Sequence, residues 1–281
     1  MTRRAFTGAT GRRGRIVGAA IVLAAGFSLL PVATAPAAAQ TIWHDHTRPQ
    51  SVWLELNHVE FEGEGSGFMT SSNAIGGRYG LGDATAFTIE VPFGYADLDA
   101  PNESELGVGS PYLGVEYARS ESFLLEAGLR LPFSATNNGA VAGFFGEFAD
   151  RSEAYLDEVL TVHLIPNLVS TDENGLRTRL RGGPVIWVPT GGGDPEVILD
   201  YGGTIGFENG GFGGDVGVTG WMIVSQGDLD FGERTVFQAG AQAFRRLGDG
   251  GRVGILLRIP LDDEVENVDF SLGAKVALAV N

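Results

Sequence analysis

Residues 268–280 read Val268-Asp269-Phe270-Ser271-Leu272-Gly273-Ala274-Lys275-Val276-Ala277-Leu278-Ala279-Val280. Val268, Phe270, Leu272, Ala274, Val276, Leu278 and Val280 occupy alternate positions, with Asp269, Ser271, Gly273, Lys275, Ala277 and Ala279 between them. Successive side chains of a strand point to opposite faces. The run therefore predicts one strand with a continuous apolar side and a small or polar side. At about 3.3 Å per residue and a tilt near 45°, roughly ten residues already cross the hydrocarbon of an outer membrane. This run is longer than that.

The same alternation recurs upstream. Val253, Ile255, Leu257, Ile259 and Leu261 alternate with Arg252, Gly254, Leu256, Arg258 and Pro260. Phe123, Leu125, Ala127, Leu129, Leu131 and Phe133 alternate with Leu124, Glu126, Gly128, Arg130 and Pro132. Twelve strands are predicted, near 50–60, 67–78, 83–93, 110–119, 122–133, 156–168, 174–188, 195–208, 212–225, 233–246, 251–261 and 267–280. The even-to-odd connections are short and built from turn residues, such as Asp172-Glu173-Asn174-Gly175 and Asn209-Gly210-Gly211. The two longest, near 94–109 and 134–155, fall at odd-to-even positions. Short turns at one end and long loops at the other are the habit of outer-membrane barrels. Parity is compatible with twelve strands and equally with ten or fourteen.

A soluble sheet also alternates, so its other face must decide. Here that face carries Gly114, Gly128, Gly202, Gly206, Gly217, Gly240, Gly254 and Gly273 with scattered charges. Glycine weakens a solvent-facing strand, but inside a closed barrel it makes room for curvature and for larger neighbours. The predicted fold class is all-β: an antiparallel up-and-down transmembrane β-barrel. Chain-wide composition agrees. The chain holds 43 Gly, no Cys and a formal charge of −16, which excludes disulfides, thiolate metal sites and general binding to nucleic acid.

Arg3, Arg4, Arg12, Arg13 and Arg15, the apolar run Ile16 to Leu30 and the small-residue stretch Ala37-Ala38-Ala39 read as a signal peptide over 1–40. Thr2-Arg3-Arg4-Ala5-Phe6 is similar to a twin-arginine start without the rest of that motif, and unfolded export is expected. Residues 41–49 are read as a periplasmic tail and 50–281 as the barrel.

Ser271, Gly273, Val276 and Leu278 resemble the C-terminal assembly signal of bacterial outer-membrane β-barrel proteins, although the chain ends on Val280-Asn281 and not on an aromatic residue. That resemblance implies residence in the outer membrane, contact with its lipid and with the barrel assembly machinery. Gly80-Leu81-Gly82-Asp83 and residues 107–117 also resemble segments of the barrel family associated with meta-pathway phenol degradation. This second likeness implies transport of small hydrophobic solutes.

With the apolar stripes turned to lipid, the charged residues expected in the lumen are Glu55, Glu90, Glu116, Glu126, Asp200, Asp215 and Asp269, with Arg130, Arg177, Arg179, Arg181, Arg252, Arg258 and Lys275. Arg177, Arg179 and Arg181 form a ladder that needs offsetting partners. It reads either as an anion-binding stripe in a pore or as part of an ion-pair network that fills the lumen. In the 134–155 connection, Val141, Phe144, Phe145 and Phe148 fall at helical spacing and form a candidate gate. The expected function is a passive channel or binding protein for small solutes, with a filled structural barrel as the alternative. A lipid hydrolase is the third reading. It requires His58, placed at the lipid boundary, to reach Ser71 or Ser72. No nucleophile elbow is present, and no catalytic residue, metal site or cofactor is predicted; His44-Asp45-His46 lacks further ligands.

Overall fold

The computed structural model describes residues 41–44, 50–62, 67–98, 104–120, 122–226, 230–248, 250–262 and 268–280. The predicted signal peptide and residues 45–49 of the predicted tail lie outside these. Thirteen extended segments are present: β1 (Ser51–Phe61), β2 (Ser71–Gly80), β3 (Thr85–Asp97), β4 (Ser104–Val108), β5 (Tyr112–Ser120), β6 (Phe123–Arg130), β7 (Val159–Thr171), β8 (Leu176–Pro189), β9 (Glu196–Asn209), β10 (Phe212–Ile223), β11 (Thr235–Leu247), β12 (Gly251–Pro260) and β13 (Val268–Ala279). Each pairs antiparallel with its neighbours, and the β1–β13 and β2–β3 pairings close the sheet on itself. β4 and β5 are two lengths of one strand, since β4 pairs with Phe93–Asp97 and β5 with Thr85–Glu90 of β3. The result is a closed barrel of 12 strands.

The break between β4 and β5 is at Gly109-Ser110-Pro111. Pro111 has no N–H to give to a ladder. The Ser110 N–H turns instead to the Ala154 carbonyl at 2.6 Å, which belongs to the connection folded inside the barrel. The sequence reading of 94–109 as one long connection is corrected here: β3 continues to Asp97 and β4 pairs back along it. Predicted and observed ends otherwise differ by a few residues.

The apolar stripes face outward. Leu180, Ile255, Val216, Leu278 and Leu56 are 59, 59, 56, 47 and 47% exposed and lie on separate strands. Water-soluble chains rarely expose contiguous apolar area on this scale, and a bilayer covers it. Among the described residues no helix is long and apolar enough to cross a membrane. A charge on this belt is costly. Leu180→Arg is expected to lower barrel stability by about 2–4 kcal/mol, if the site lies near the bilayer mid-plane, as measured by urea unfolding in lipid vesicles.

The termini of the barrel and the short turns share one end. Among these turns, Asp172 accepts the Leu176 and Asn174 N–H groups at 2.8 and 2.9 Å. Those bonds, the Leu176 one foremost, hold its carboxyl below the usual carboxylate range. Gly175, at φ +87°, supplies the left-handed step that closes this turn. One predicted lumen residue is displaced. Glu60 lies opposite Phe270 and Phe61 opposite Val268, so Asp269 is an unpaired bulge residue and is exposed. The bulge turns Val268 inward in its place, because one extra residue reverses the facing of a strand.

Candidate functional site: a lumen closed by an ion-pair cluster

The connection between β6 and β7 folds into the barrel from the end opposite the termini. Its helix α1 (Asn138–Gly146) starts at Asn137, whose side chain accepts the Ala140 N–H at 3.1 Å. The buried face of α1 is made of small residues: Gly139, Ala140, Ala142, Gly143 and Gly146. Small residues let the helix backbone lie directly on the wall. A Cβ on Gly94 of β3 would overlap the Gly139 carbonyl and stand 2.7 Å from the Gly143 nitrogen.

This geometry corrects the gate as read from the sequence. Val141 is 52% exposed and faces away from the lumen. Phe144, Phe145 and Phe148 are half-buried and pack on one another, with ring centroids 5.4–6.2 Å apart. Phe145 reaches Phe61, and Phe148 reaches Trp221, whose indole N–H also donates to the Phe148 carbonyl at 2.8 Å.

Past α1, the chain enters the centre of the lumen. Arg151 is buried, with Nη2 2.8 Å from both Glu55 and Glu147 and Nη1 3.0 Å from Glu90. Its Nε donates to the second oxygen of Glu147 at 3.0 Å. Arg258 joins from β12, 2.7 Å from Glu55, 3.3 Å from Glu147 and 2.9 Å from Asp150. Arg130 bridges Glu90 and Glu153 at 3.4 and 3.1 Å. Burial pushes Glu147 and Glu153 above the usual carboxylate range, against the pull of Arg151 and Arg258 on the first and of Arg130 on the second. Charges this deep persist only when paired and hydrogen-bonded.

A second segment enters from the other end. The sequence reading placed 41–49 in the periplasm, but Thr41, Ile42, Trp43 and His44 are buried inside the barrel. Their surroundings explain this correction. The Arg179 guanidinium donates to the Ile42 carbonyl at 3.0 Å, and Trp43 lies on Gly240, where any side chain would overlap it. The Lys275 ammonium is 2.6 Å from His44 Nδ1. An ammonium only donates, so Nδ1 accepts and the ring proton sits on Nε2, directed at Glu55 and Glu90 at 3.9 and 4.0 Å. Burial, then the Lys275 charge, pushes His44 well below the ordinary histidine range. The docked segment thus binds fewer protons than the free one, so its docking is firm above about pH 6.5 and weakens as pH falls below that value. Proteolysis of the N-terminal segment is expected to accelerate between pH 7.5 and 5, and His44→Gln is expected to flatten that dependence.

The remaining predicted charges line the inner wall in smaller groups. Arg177 is 3.0 Å from Glu208, which Arg246 also bonds. Arg181 is 3.2 Å from Asp200. Arg179, between them, donates to the Asn167 amide oxygen at 2.7 and 3.1 Å. These are the partners that the ladder required. Glu116 pairs with Arg78 at 2.7 Å, Glu126 accepts the Tyr112 hydroxyl at 3.2 Å, and Asp215 accepts from Gln242 at 2.6 Å. Arg252 lies over the Phe244 ring, 3.3 Å from its centroid.

Within the assembly-signal segment, Ser271 is buried on the inner face, Gly273 lies beneath Asn57, and Val276 and Leu278 face outward. Sequence reasoning missed Arg78, Glu147, Asp150, Arg151 and Glu153. The signal for the last four was present: Arg151 is the sole base in the connection 131–158, among Glu147, Asp150, Glu153, Asp157 and Glu158.

On the outer surface, His58 lies opposite Ser71 in the β1–β2 register. Its ring nitrogens contact the Thr70 carbonyl at 3.2 Å and Glu60 at 2.9 Å. The Ser71 hydroxyl accepts from Asn73, and the Ser72 hydroxyl faces inward onto Glu147. Neither serine is bonded to His58.

No protein-family model matches the sequence, and no curated protein matches it. Among solved structures, an outer-membrane channel from Pseudomonas putida F1 is similar at a TM-score of 0.55 and 14% identity, over 83% of this chain and 96% of that one. LpxR from Salmonella typhimurium is similar at 0.50 and 10%, over 82% of this chain and 100% of that one. Identity this low carries the fold alone. With the apolar belt outside and the charges enclosed, the chain is a transmembrane β-barrel of the bacterial outer-membrane type.

Proposed function

We propose that this barrel is a gated conduit for small solutes, closed in the present conformation by the 131–158 connection. The observation that carries the reading is the position of Arg151. It belongs to a loop and not to the wall, yet it is 1% exposed at the centre of the lumen and held by Glu55 and Glu90 of the wall. Two strand carboxylates thus bind a cation that the barrel can release without unfolding. A permanent seal gains little from such charges, because apolar packing of similar volume is usually as stable or more so. Ion pairs that rehydrate on separation suit a reversible contact.

The test locks the loop. The chain has no native Cys, and the Asn138 N–H lies 2.8 Å from the Glu105 carboxylate at the rim. Glu105→Cys with Asn138→Cys is expected to form a disulfide that abolishes single-channel openings in planar bilayers and restores them on reduction. Silence in both redox states, and in variants with the loop released, would leave the filled structural barrel as the better account.

A further inference from the structure

We infer that the seam between β7 and β8 is a lateral portal through which a small apolar solute passes from the lumen into lipid. The inference adds a route to the conduit reading and rests on that reading for the step that uncovers the seam. Val159–His163 of β7 pair with Val185–Pro189 of β8, and Asn167–Thr171 pair with Arg177–Arg181 in the same register. Between them, Leu164, Ile165 and Pro166 make no ladder pair with Gly182, Gly183 and Pro184. The cause is covalent. Carried through the gap, the register sets Pro184 against Leu164 and Pro166 against Gly182. Neither proline has an N–H, so each position loses a bond that a ladder makes. Within sheets, proline is normally confined to edges and bulges. Here two prolines oppose each other near the middle of two interior strands, Val159–Thr171 and Leu176–Pro189. At that depth of a membrane wall no water replaces the missing donor.

The gap is apolar on both sides. Leu164 and Ile186 flank it on the lipid face. On the lumen face Ile165, Val185 and Ile198 form one buried cluster, and Trp187, Trp221 and Ile223 pack against it. This patch runs across β7, β8, β9 and β10, whereas the enclosed face of a barrel is ordinarily polar. The interruption along β3 is of another kind. There the register shifts, with Glu90 opposite Tyr112 and Phe93 opposite Val108, and the Gly109 N–H reaches the Pro92 carbonyl across the break at 2.9 Å. Behind the β7–β8 seam the cover is Phe148. Its ring lies 6.0 Å from that of Trp221, and its carbonyl accepts the Trp221 indole N–H. Phe148 belongs to the 131–158 connection, so withdrawal of the connection uncovers the patch. An apolar solute then displaces water from it, and the adjoining strands, short of two bonds, separate there more readily than along an unbroken ladder.

The test follows an apolar dye, N-phenyl-1-naphthylamine, which fluoresces in lipid and is held back by an intact lipopolysaccharide leaflet. Bacterial cells producing the full-length Arg151→Ala protein, whose connection is released, are expected to take up the dye at least about 5-fold faster than cells without the barrel. Pro166→Val with Pro184→Val, added to Arg151→Ala, restores both N–H groups and leaves apolar side chains at both positions. This variant is expected to slow uptake by about 5-fold, the effect of roughly one net hydrogen bond, while its single-channel conductance in planar bilayers stays that of Arg151→Ala. His163 and Val185 face each other at one end of the gap, and the chain has no native Cys. His163→Cys with Val185→Cys, also added to Arg151→Ala, is expected to slow uptake when oxidised and to release it on reduction, and it carries the test alone should the valine variant fail to fold. Uptake that neither the valines nor the disulfide alters is axial and overturns the inference, as does a conducting barrel that takes up no dye; both results leave the conduit standing. Uptake that the valines slow, in a barrel silent in bilayers, removes the conduit and keeps the portal. Absence of both uptake and conductance removes both.

Discussion

Arg151→Ala is expected to turn a closed barrel into a conducting one. The substitution leaves Glu55, Glu90 and Glu147 buried around the space the guanidinium filled. Removing one partner from a buried ion pair costs about 3–5 kcal/mol where the remaining charge is left uncompensated; Arg258 still faces Glu55 and Glu147, and Arg130 still faces Glu90, so the cost here is at the lower end, about 3 kcal/mol. The closed state bears this cost. In an opened loop, Glu147 is hydrated, and the wall carboxylates meet water and mobile cations. A bias of that size moves the open-to-closed ratio by about two powers of ten. Planar-bilayer recording is the measurement, with stepwise openings in the variant against rare ones in the parent. Arg151→Lys is expected to fall between them. It keeps the charge but loses the planar fork that reaches three carboxylates at once. An Arg151→Ala barrel that folds and stays silent shows that the loop contact is not what closes the lumen.

Gly94→Val is the second large effect, and it acts by shape. The Gly94 position of β3 meets the backbone of α1, so a valine displaces the helix without touching any charge. Overlap with backbone cannot be relieved by a side-chain rotation, and a well-packed contact yields by separating. Openings comparable to those of Arg151→Ala are expected. Salt should discriminate the two. Raising ionic strength loosens the parent contact as ions screen the rim charges, whereas a helix already unseated by valine has little left to lose. The same recordings at low and high salt decide it. Valine at Gly94 with parental gating would mean that α1 does not rest on β3 in the membrane.

Much of this architecture was legible in the order of residues. The stripes through Val253–Leu261 and Val268–Val280 required strands, their length suited a bilayer, and the small and charged residues between them required an enclosed face. Glu55, Glu90, Arg130, Arg179 and Arg258 follow from parity alone once a stripe is known to face lipid. Asp269 escaped because one bulge opposite Glu60 and Phe61 reverses the facing of the two residues at the start of β13 and leaves the rest of the strand in register, and nothing local in its neighbours announces it. Val141 escaped because α1 buries its small residues, whereas apolar periodicity singles out the large ones.

The sequence by itself determined the barrel, the side of each strand that meets lipid and the chemistry of the enclosed wall, because a strand's facing repeats every two residues and hydrocarbon tolerates no charge. Only the tertiary structure decided what fills that wall. Arg151 comes to Glu55 across 96 positions of chain, and Arg258 across 203. The burial of Ile42 and Trp43 depends on gaps left at Gly202 and Gly240 of distant strands. Such meetings are set by barrel closure, which brings together residues that no local pattern relates.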